Sequence, residues 1–223
     1  MDEEVAKLKE QMQEVKVQTR ASMEFYEGTV SGHPVVVVRS GIGKVNGAIC
    51  AQILADVYGV DAIVNTGIAG SLNAKINIGD IVLSTDALEH DMDAVAFGYP
   101  VGQIPRMDTL SFTADEKLRN VAKEACLAVN PDISVFEGRI VSGDQFISDK
   151  GKKEWLVEQF AGFCTEMEGA AIAHAAYLNG IPFLIIRAIS DKADDSASVD
   201  YPAFEAKAIE HSVRLLLELC RRL

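Results

Sequence analysis

The feature that most constrains the fold of this chain is a repeated switch from apolar residues to small polar ones. Three segments, 61–70, 135–144 and 183–191, begin as buried-strand patterns and end abruptly in Gly, Ser, Thr or Asp. Helical patterns separate them, and strands that are apolar on both faces indicate a mostly parallel, buried sheet. Ligands of such sheets bind outside the carboxyl ends of the strands, so these polar residues are expected to share one site.

Local patterns predict the other elements of the fold. A helix is expected over 2–18, where apolar residues recur at three- and four-residue spacing. Two β-rich runs, 23–30 and 34–40, flank a Ser-Gly-His turn and indicate a hairpin. Further strands are predicted over 61–65, 80–83, 135–141 and 183–189, and further helices over 46–57, 114–129 (capped by Thr113), 152–160, 168–178 and 203–222.

The chain shows no repeat, low-complexity segment or linker, so its 223 residues are expected to form one domain. The fold class is therefore α/β, a three-layer arrangement in which helices flank a mixed, mostly parallel central sheet. Two glycine-rich segments, Gly41-Ile-Gly and Gly67-Ile-Ala-Gly, are interpreted as turns that let the backbone approach a ligand closely. Neither has the spacing of a Rossmann or P-loop motif, and each is also typical of an ordinary turn.

Charge and composition argue against several classes of function. The 33 acidic side chains outnumber the 21 basic ones and give a formal charge of -12, which disfavours binding to nucleic acid or to anionic membranes. No apolar run approaches the ~20 residues that span a bilayer. The first residues are acidic, unlike a signal peptide, and the four cysteines and four histidines are scattered. We therefore expect a cytoplasmic protein with reduced thiols, no metal site and no disulfides.

Asp191 is one candidate for acid–base chemistry. It stands where an apolar strand ends, and burial there would raise the pKa of its carboxyl group and favour proton donation. A helix cap, or a salt bridge to Arg187 or Lys192, would explain an aspartate at this position equally well.

A second set of carboxylates precedes a predicted helix. Glu166 and Glu168 flank Met167, and a carboxylate accepts hydrogen bonds from two vicinal hydroxyls, so either could bind ribose. The alternative is that both complement the helix dipole. Phe146 and Tyr201 could stack on a flat base, or could belong to the core or to a lid.

Six segments, taken together and in order, resemble the 5′-methylthioadenosine/S-adenosylhomocysteine nucleosidases of the nucleoside phosphorylase superfamily. The resemblance extends over essentially the whole chain. The segments are Asp2-Glu-Glu-Val5, Ser40-Gly-Ile-Gly-Lys44, Asn65-Thr-Gly-Ile-Ala-Gly70, Val141-Ser-Gly-Asp-Gln-Phe-Ile147, Glu166-Met-Glu168 and Arg187-Ala-Ile-Ser-Asp191.

The resemblance implies hydrolysis of the N-glycosidic bond of methylthioadenosine and adenosylhomocysteine, without a cofactor or metal. Asp191 would protonate N7 of adenine, and Glu4 would orient and deprotonate the attacking water. Ser190 and Arg187 would help to position Asp191 and the water. A reaction through an oxocarbenium-like sugar suits two carboxyl groups that divide the acid and base work.

The resemblance also implies how the nucleoside is held. Glu168 would bind the ribose hydroxyls above Met167, while Phe146 would stack on adenine and the backbone of Ile147 would read its edge. The other implied contacts are Ala69 and Gly70 along the sugar and base, and Tyr201 over the pocket.

Family members of this kind are homodimers, and the stretch 102–105, with Ile104 and Pro105, resembles the segment that reaches into the partner's site. The implied physiological role is the salvage of adenosylmethionine by-products, and thereby the salvage of methionine. Relatives carry a short apolar strand before the Met-Asp-Glu-Glu segment that opens this chain. We therefore expect a vacant strand position in the sheet, with Glu4 on a frayed terminus.

Three functional hypotheses follow. The leading one is the methylthioadenosine and adenosylhomocysteine hydrolase, because Glu4, Glu168 and Asp191 are all present. The second is a related enzyme, either a futalosine hydrolase or a purine nucleoside phosphorylase; no clustered arginines suit a phosphate co-substrate, which favours a hydrolase. The third is a nucleoside-binding protein without activity, because a fold does not guarantee a reaction.

Overall fold

The computed structural model describes residues 2–194 and 197–223, with side chains described for 4–194, 204 and 206–223. Helices and strands alternate along most of this length, as the sequence patterns predict. The helices are α1 (Asp2–Lys9), α2 (Lys44–Tyr58), α3 (Glu116–Val129), α4 (Lys150–Phe160), α5 (Gly169–Asn179) and α6 (Ala197–Arg222). The strands are β1 (Met12–Arg20), β2 (Met23–Val30), β3 (His33–Val38), β4 (Ile63–Ser71), β5 (Ile81–Glu89), β6 (Phe112–Thr113), β7 (Val135–Ser142), β8 (Cys164–Glu166) and β9 (Phe183–Asp191).

The central sheet has the strand order β6-β5-β7-β8-β4-β9. Its long pairings, β4 with β9 and β5 with β7, are parallel, whereas the short pairings of β4 with β8 and β5 with β6 are antiparallel. The α/β class with a mixed, mostly parallel sheet flanked by helices is thus confirmed. In addition, β5 pairs antiparallel with β9, which closes five of the strands into a ring.

A second sheet, β1-β2-β3, is antiparallel throughout. It contains the predicted hairpin, but the helix predicted over 2–18 is wrong beyond Lys9, because Met12–Arg20 forms β1. Val15, Val17 and Thr19 alternate as a strand requires, and pairing of β1 with β2 outweighs the helical spacing. A bulge interrupts this pairing between Gln13 and Lys16.

The glycine-rich segment at the end of β4 is also different from the prediction. Gly67-Ile-Ala-Gly was expected to be a turn after a strand ending at Asn65, yet the strand continues to Ser71. Parallel pairing with β9 keeps the segment extended, and the glycines make room for neighbouring side chains. A Cβ on Gly70 would lie 2.7 Å from Asp191 Oδ1, and one on Gly67 would lie 3.3 Å from an Arg187 nitrogen.

Smaller corrections concern helix caps and short strands. Asp115, not Thr113, caps α3, since its carboxylate accepts the Leu118 amide at 2.8 Å. Thr113 instead belongs to β6, which the sequence patterns missed together with β8. Both strands have two or three residues, too few to show a period.

Helix α1 packs against α6 and β3, which places Leu8 in the core and leaves Glu4 only 1 % exposed. Glu4 is therefore buried, and not on a frayed terminus as expected. Among the described residues β3 and β4 are not paired with each other, and a groove separates them. The vacant strand position stays a prediction.

Within the described ranges, no helix combines the length and the apolar character that crossing a bilayer would require.

Candidate active site

The polar strand ends meet at one part of a groove of about 1510 Å³, which also runs between β3 and β4. The ends of β4 and β9, the segment after β8 and the helix α1 all contribute to its wall. The predicted site residues that line it are Glu4, Ala69, Gly70, Phe146, Glu166, Met167, Glu168, Arg187, Ser190 and Asp191. Residues from distant parts of the sequence are therefore brought together as their positions at strand ends suggested.

Asp191 is the last residue of β9 and is only 2 % exposed. Its carboxyl group is held by two donors: the Ser190 hydroxyl to Oδ2 at 2.9 Å and the Ala193 amide to Oδ1 at 2.8 Å. The absent side chain of Gly70 gives this carboxyl group its space. Asp191 thus has a fixed orientation at the wall of the groove.

Glu4 approaches the same groove from α1. The Thr66 hydroxyl of β4 donates to Glu4 Oε1 at 3.4 Å. The groove is therefore lined by two buried carboxyl groups that come from opposite ends of the chain, Glu4 and Asp191.

Glu168 follows β8 and is half-buried at the groove. The Gly43 amide donates to its Oε1 at 2.8 Å, which anchors one oxygen. Burial raises the pKa of Glu168, and the nearby charge of Glu166 raises it further, while the Gly43 amide opposes the shift.

Glu166 and Arg187 form a buried ion pair beneath Glu168. The Glu166 carboxylate also accepts the Ser142 hydroxyl and the Gly169 amide, the latter at 2.8 and 3.0 Å. Burial alone would raise the pKa of Glu166, but Arg187 and these donors lower it overall. Arg187 also donates to the side chain of Asn65.

No role was predicted for Ser142 or Asn65. Ser142 directly follows one predicted strand, and Asn65 ends another, next to a glycine-rich segment. Their position at a strand end was the available signal. What the sequence could not show is that β8, a strand of three residues, places Glu166 between them.

A narrow cleft of about 30 Å³ shares Gly70, Phe146, Met167 and Asp191 with the groove and adds Ile147. Ile147 is buried, whereas Phe146 is 52 % exposed. The cleft has room for only a water molecule or two, so a flat ring would have to lie mainly at its mouth in the larger groove.

Other predicted positions have less to contribute here. Tyr201 falls within α6, but its side chain lies outside the described residues. Ile104 is half-buried and packs against the core of its own chain, and Pro105 is exposed. Among the described side chains, no cluster of three or more His, Cys, Asp or Glu groups could hold a metal ion.

The chain is similar to known proteins over its whole length. The model of the Phosphorylase superfamily matches residues 1–221. A 5′-methylthioadenosine/S-adenosylhomocysteine nucleosidase of Treponema pallidum is 38 % identical over 245 residues, which cover 100 % of this chain and 91 % of the relative.

Two solved structures illustrate the similarity of the fold. The nucleosidase of the same name from Neisseria meningitidis, in complex with methylthio-immucillin-A, has a TM-score of 0.95 at 35 % identity, covering 100 % of this chain and 96 % of that one. The futalosine hydrolase of Helicobacter pylori has a TM-score of 0.94 at 32 % identity, covering 100 % and 95 %. The chain belongs to the phosphorylase superfamily and, within it, to the 5′-methylthioadenosine/S-adenosylhomocysteine nucleosidase family.

Proposed function

We propose that this protein is an N-ribosyl hydrolase that releases adenine from 5′-methylthioadenosine and S-adenosylhomocysteine. The observation that carries the proposal is the placement of three carboxyl groups, Glu4, Glu168 and Asp191, on one groove. Breaking a base–ribose bond requires an acid for the leaving base, a base for the water and support for the cationic sugar. The relatives named above support the choice of nucleoside.

Asp191 is the proposed general acid. Protonation of N7 turns adenine into a good leaving group, because the electrons of the broken bond then neutralise a positive ring. Ser190 and the Ala193 amide keep the carboxyl group in place for this transfer. Gly70, which has no side chain, leaves the space that this carboxyl group occupies.

Glu4 is the proposed base for the attacking water. A carboxylate can hold the water, remove its proton and also stabilise the oxocarbenium-like sugar by its charge. Its burial in α1 and its hydrogen bond from Thr66 fix its direction toward the groove.

Glu168 is the proposed ribose-binding residue, with Met167 packing beneath the sugar. One oxygen of Glu168 accepts the Gly43 amide, and the carboxylate has further lone pairs for the ribose hydroxyls. Glu166 has the opposite character, since Arg187, Ser142 and Gly169 already donate to it. We therefore propose that Glu166 and Arg187 position Glu168, Asp191 and the water instead of contacting the nucleoside.

The adenine is proposed to stack on Phe146 at the mouth of the narrow cleft. The backbone of Ile147 reads its edge, and Ala69 and Gly70 line the sugar and base side. The Phe146 ring is half-exposed at the wall of the groove, where a flat base could lie against it.

A second candidate substrate is futalosine, because the futalosine hydrolase of Helicobacter pylori is nearly as similar in fold as the nucleosidase. A phosphorylase is less well supported. Arg187 directs its guanidinium to Glu166 and Asn65, so it is committed to protein partners and not to a phosphate.

We also propose that the protein acts as a homodimer in which Ile104 and Pro105 help to complete the partner's site. Contacts among Lys44, Asp91 and Asp144 bring three segments together at the rim of the groove. Two of these segments carry the exposed apolar side chains Ile42 and Phe97, which a partner subunit would cover. Sedimentation equilibrium of the wild type and of Phe97→Asp tests this, with a dimer expected only for the former.

The compartment and pathway follow from the same resemblance. We propose a cytoplasmic enzyme that acts in the salvage of adenosylmethionine by-products, and thereby in the salvage of methionine. The four free cysteines, three of them buried, suit a reducing compartment.

The decisive experiment measures adenine release from methylthioadenosine, with and without phosphate, for the wild type and Asp191→Asn. We expect release that does not depend on phosphate and falls by roughly 10²–10⁴-fold in the variant, the usual contribution of a positioned acid. Futalosine is assayed in parallel and competes directly for the assignment. Near-normal turnover by Asp191→Asn would remove Asp191 as the acid, and binding without any release would identify a nucleoside-binding protein.

A further inference from the structure

We propose that Lys44 is a positioning residue for ribose binding: it anchors the loop 41–44 so that the Gly43 amide holds Glu168. The inference rests on the proposed function, because Glu168 matters only if the ligand has a sugar.

The side chain of Lys44 is held between two carboxylates. Its Nζ lies 2.9 Å from Glu89 Oε2 and 2.7 Å from Asp91 Oδ1. The three side chains are only 19 %, 8 % and 18 % exposed, so water screens the pairs less than it screens surface ion pairs. Burial alone would lower the pKa of Lys44, but the hydrogen bonds that its ammonium donates to Asp91 and Glu89 raise it, which keeps the ammonium charged.

The backbone of the same loop reaches the candidate active site. The Gly43 amide donates to Glu168 Oε1 at 2.8 Å, and the Lys44 amide donates to Asp144 Oδ1 at 2.8 Å. The Asp144 amide in turn donates to Asp91 Oδ2 at 2.9 Å. Lys44, Asp91 and Asp144 therefore form a closed circuit of hydrogen bonds, and Gly43 lies next to it.

The loop needs such an anchor because of its backbone conformation. Gly41 and Gly43 have φ values of 83° and 94°. Glycine adopts such values readily, but it adopts negative φ values as readily, so the sequence itself does not hold the loop in this conformation. A Cβ on Gly43 would lie 3.0 Å from Asp144 Oδ1, so the loop also packs tightly against the segment after β7. Without the Lys44 side chain, nothing in the intrinsic preference of two glycines would keep the Gly43 amide directed at Glu168.

The acidic partners of Lys44 are themselves fixed. His174 Nδ1 of α5 lies 3.4 Å from Glu89 Oε1, and α5 begins directly after Glu168. Glu89, one partner of Lys44, thus contacts the same helix that Glu168 precedes.

The test compares Lys44→Met with the wild type in turnover and in ligand binding. We expect kcat/KM for methylthioadenosine to fall roughly 10- to 100-fold, mainly through KM, as is typical when a hydrogen bond to a charged group is lost. The Kd of adenine, which has no sugar, should stay unchanged, and Lys44→Arg should restore most of the activity. Lys123→Met is the matched control, because it removes another partly exposed ion pair, to Glu137, on the helix α3.

A double-mutant cycle separates positioning from a general structural effect. If Lys44 acts through Glu168, Lys44→Met should cost little more in a Glu168→Gln background. Full additivity, an equal loss of adenine binding, or wild-type kinetics for Lys44→Met would each overturn the inference. Absence of base release by the wild type would instead overturn the proposed function; the ratio of nucleoside to adenine Kd in Lys44→Met would then still decide the role of Lys44.

Discussion

Two carboxylates that stand two residues apart, Glu166 and Glu168, have opposite surroundings. Glu166 is buried against Arg187, and its pKa is lowered despite burial because the guanidinium and several donors compensate its charge. Glu168 is half-buried at the groove, and burial together with the charge of Glu166 raises its pKa. Glu166 is the last residue of β8, whereas Glu168 immediately precedes α5. One carboxylate is thus bonded to partners within the fold, while its neighbour lines the groove where a ligand can reach it.

The largest expected effect is the loss of stability that follows from breaking the buried ion pair of Glu166 and Arg187. Arg187→Met leaves Glu166 buried without its partner, and the loss of one member of a buried pair typically costs about 3–5 kcal/mol. Urea denaturation gives the free energy of unfolding. The control Arg214→Met removes a surface pair with Glu210 whose side chains are about half exposed, and should change stability by less than about 1 kcal/mol. Equal effects of the two variants would contradict the structural role of Glu166.

A smaller effect, on turnover, is expected when Glu168 is substituted. Glu168→Gln keeps the shape of the side chain and its bond from Gly43 but removes the charge that would bind the ribose hydroxyls. We expect kcat/KM for methylthioadenosine to fall roughly 10- to 100-fold, with little loss of stability. Steady-state kinetics together with thermal unfolding checks both parts. A variant that unfolds as readily as Arg187→Met would mean that the two carboxylates are not as different as proposed.

The smallest effect is a change of stability with pH. The folded pKa of Glu168 is raised, so the folded state holds its proton more tightly than the unfolded state does. The stability that the protonated form contributes is fully present below the unfolded pKa of about 4.3, and it is lost as the pH rises through the folded pKa. Glu168→Gln lacks this loss, so its stability relative to the wild type should increase as the pH rises through that range. Parallel pH profiles of the two proteins would contradict the prediction.

Sequence patterns predicted the elements whose apolar residues recur with a clear period or give way abruptly to polar residues. The buried strands β4, β7 and β9 and most of the helices follow from apolar runs, and the meeting of their polar ends follows from the parallel sheet. The named catalytic residues came from resemblance and not from periodicity. Asp191, for example, was equally compatible with a salt bridge to Arg187, whose guanidinium in the structure pairs with Glu166.

The parts that were missed depend on contacts between distant residues. The strand β1 was predicted as helix because the spacing of its apolar residues fits both periods, and only its pairing with β2 decides. The extension of β4 through Gly67 and Gly70 depends on β9 in the same way. The side chain of Lys44 is bonded to Glu89 and Asp91, which follow it in the sequence by 45 and 47 positions. No local pattern can reveal such contacts.

The ring of β5, β7, β8, β4 and β9 has a consequence for how the molecule opens. Each ring strand is hydrogen-bonded to two neighbours, and all of β9 is buried, whereas β1 is exposed from Gln13 to Arg20 and pairs with β2 alone. Amide protons of β9 would then exchange with solvent only when the whole domain unfolds, while those of β1 exchange by local fraying. Asp191 therefore stands on the slowest-opening part of the chain, in a different sheet from the strand that frays first.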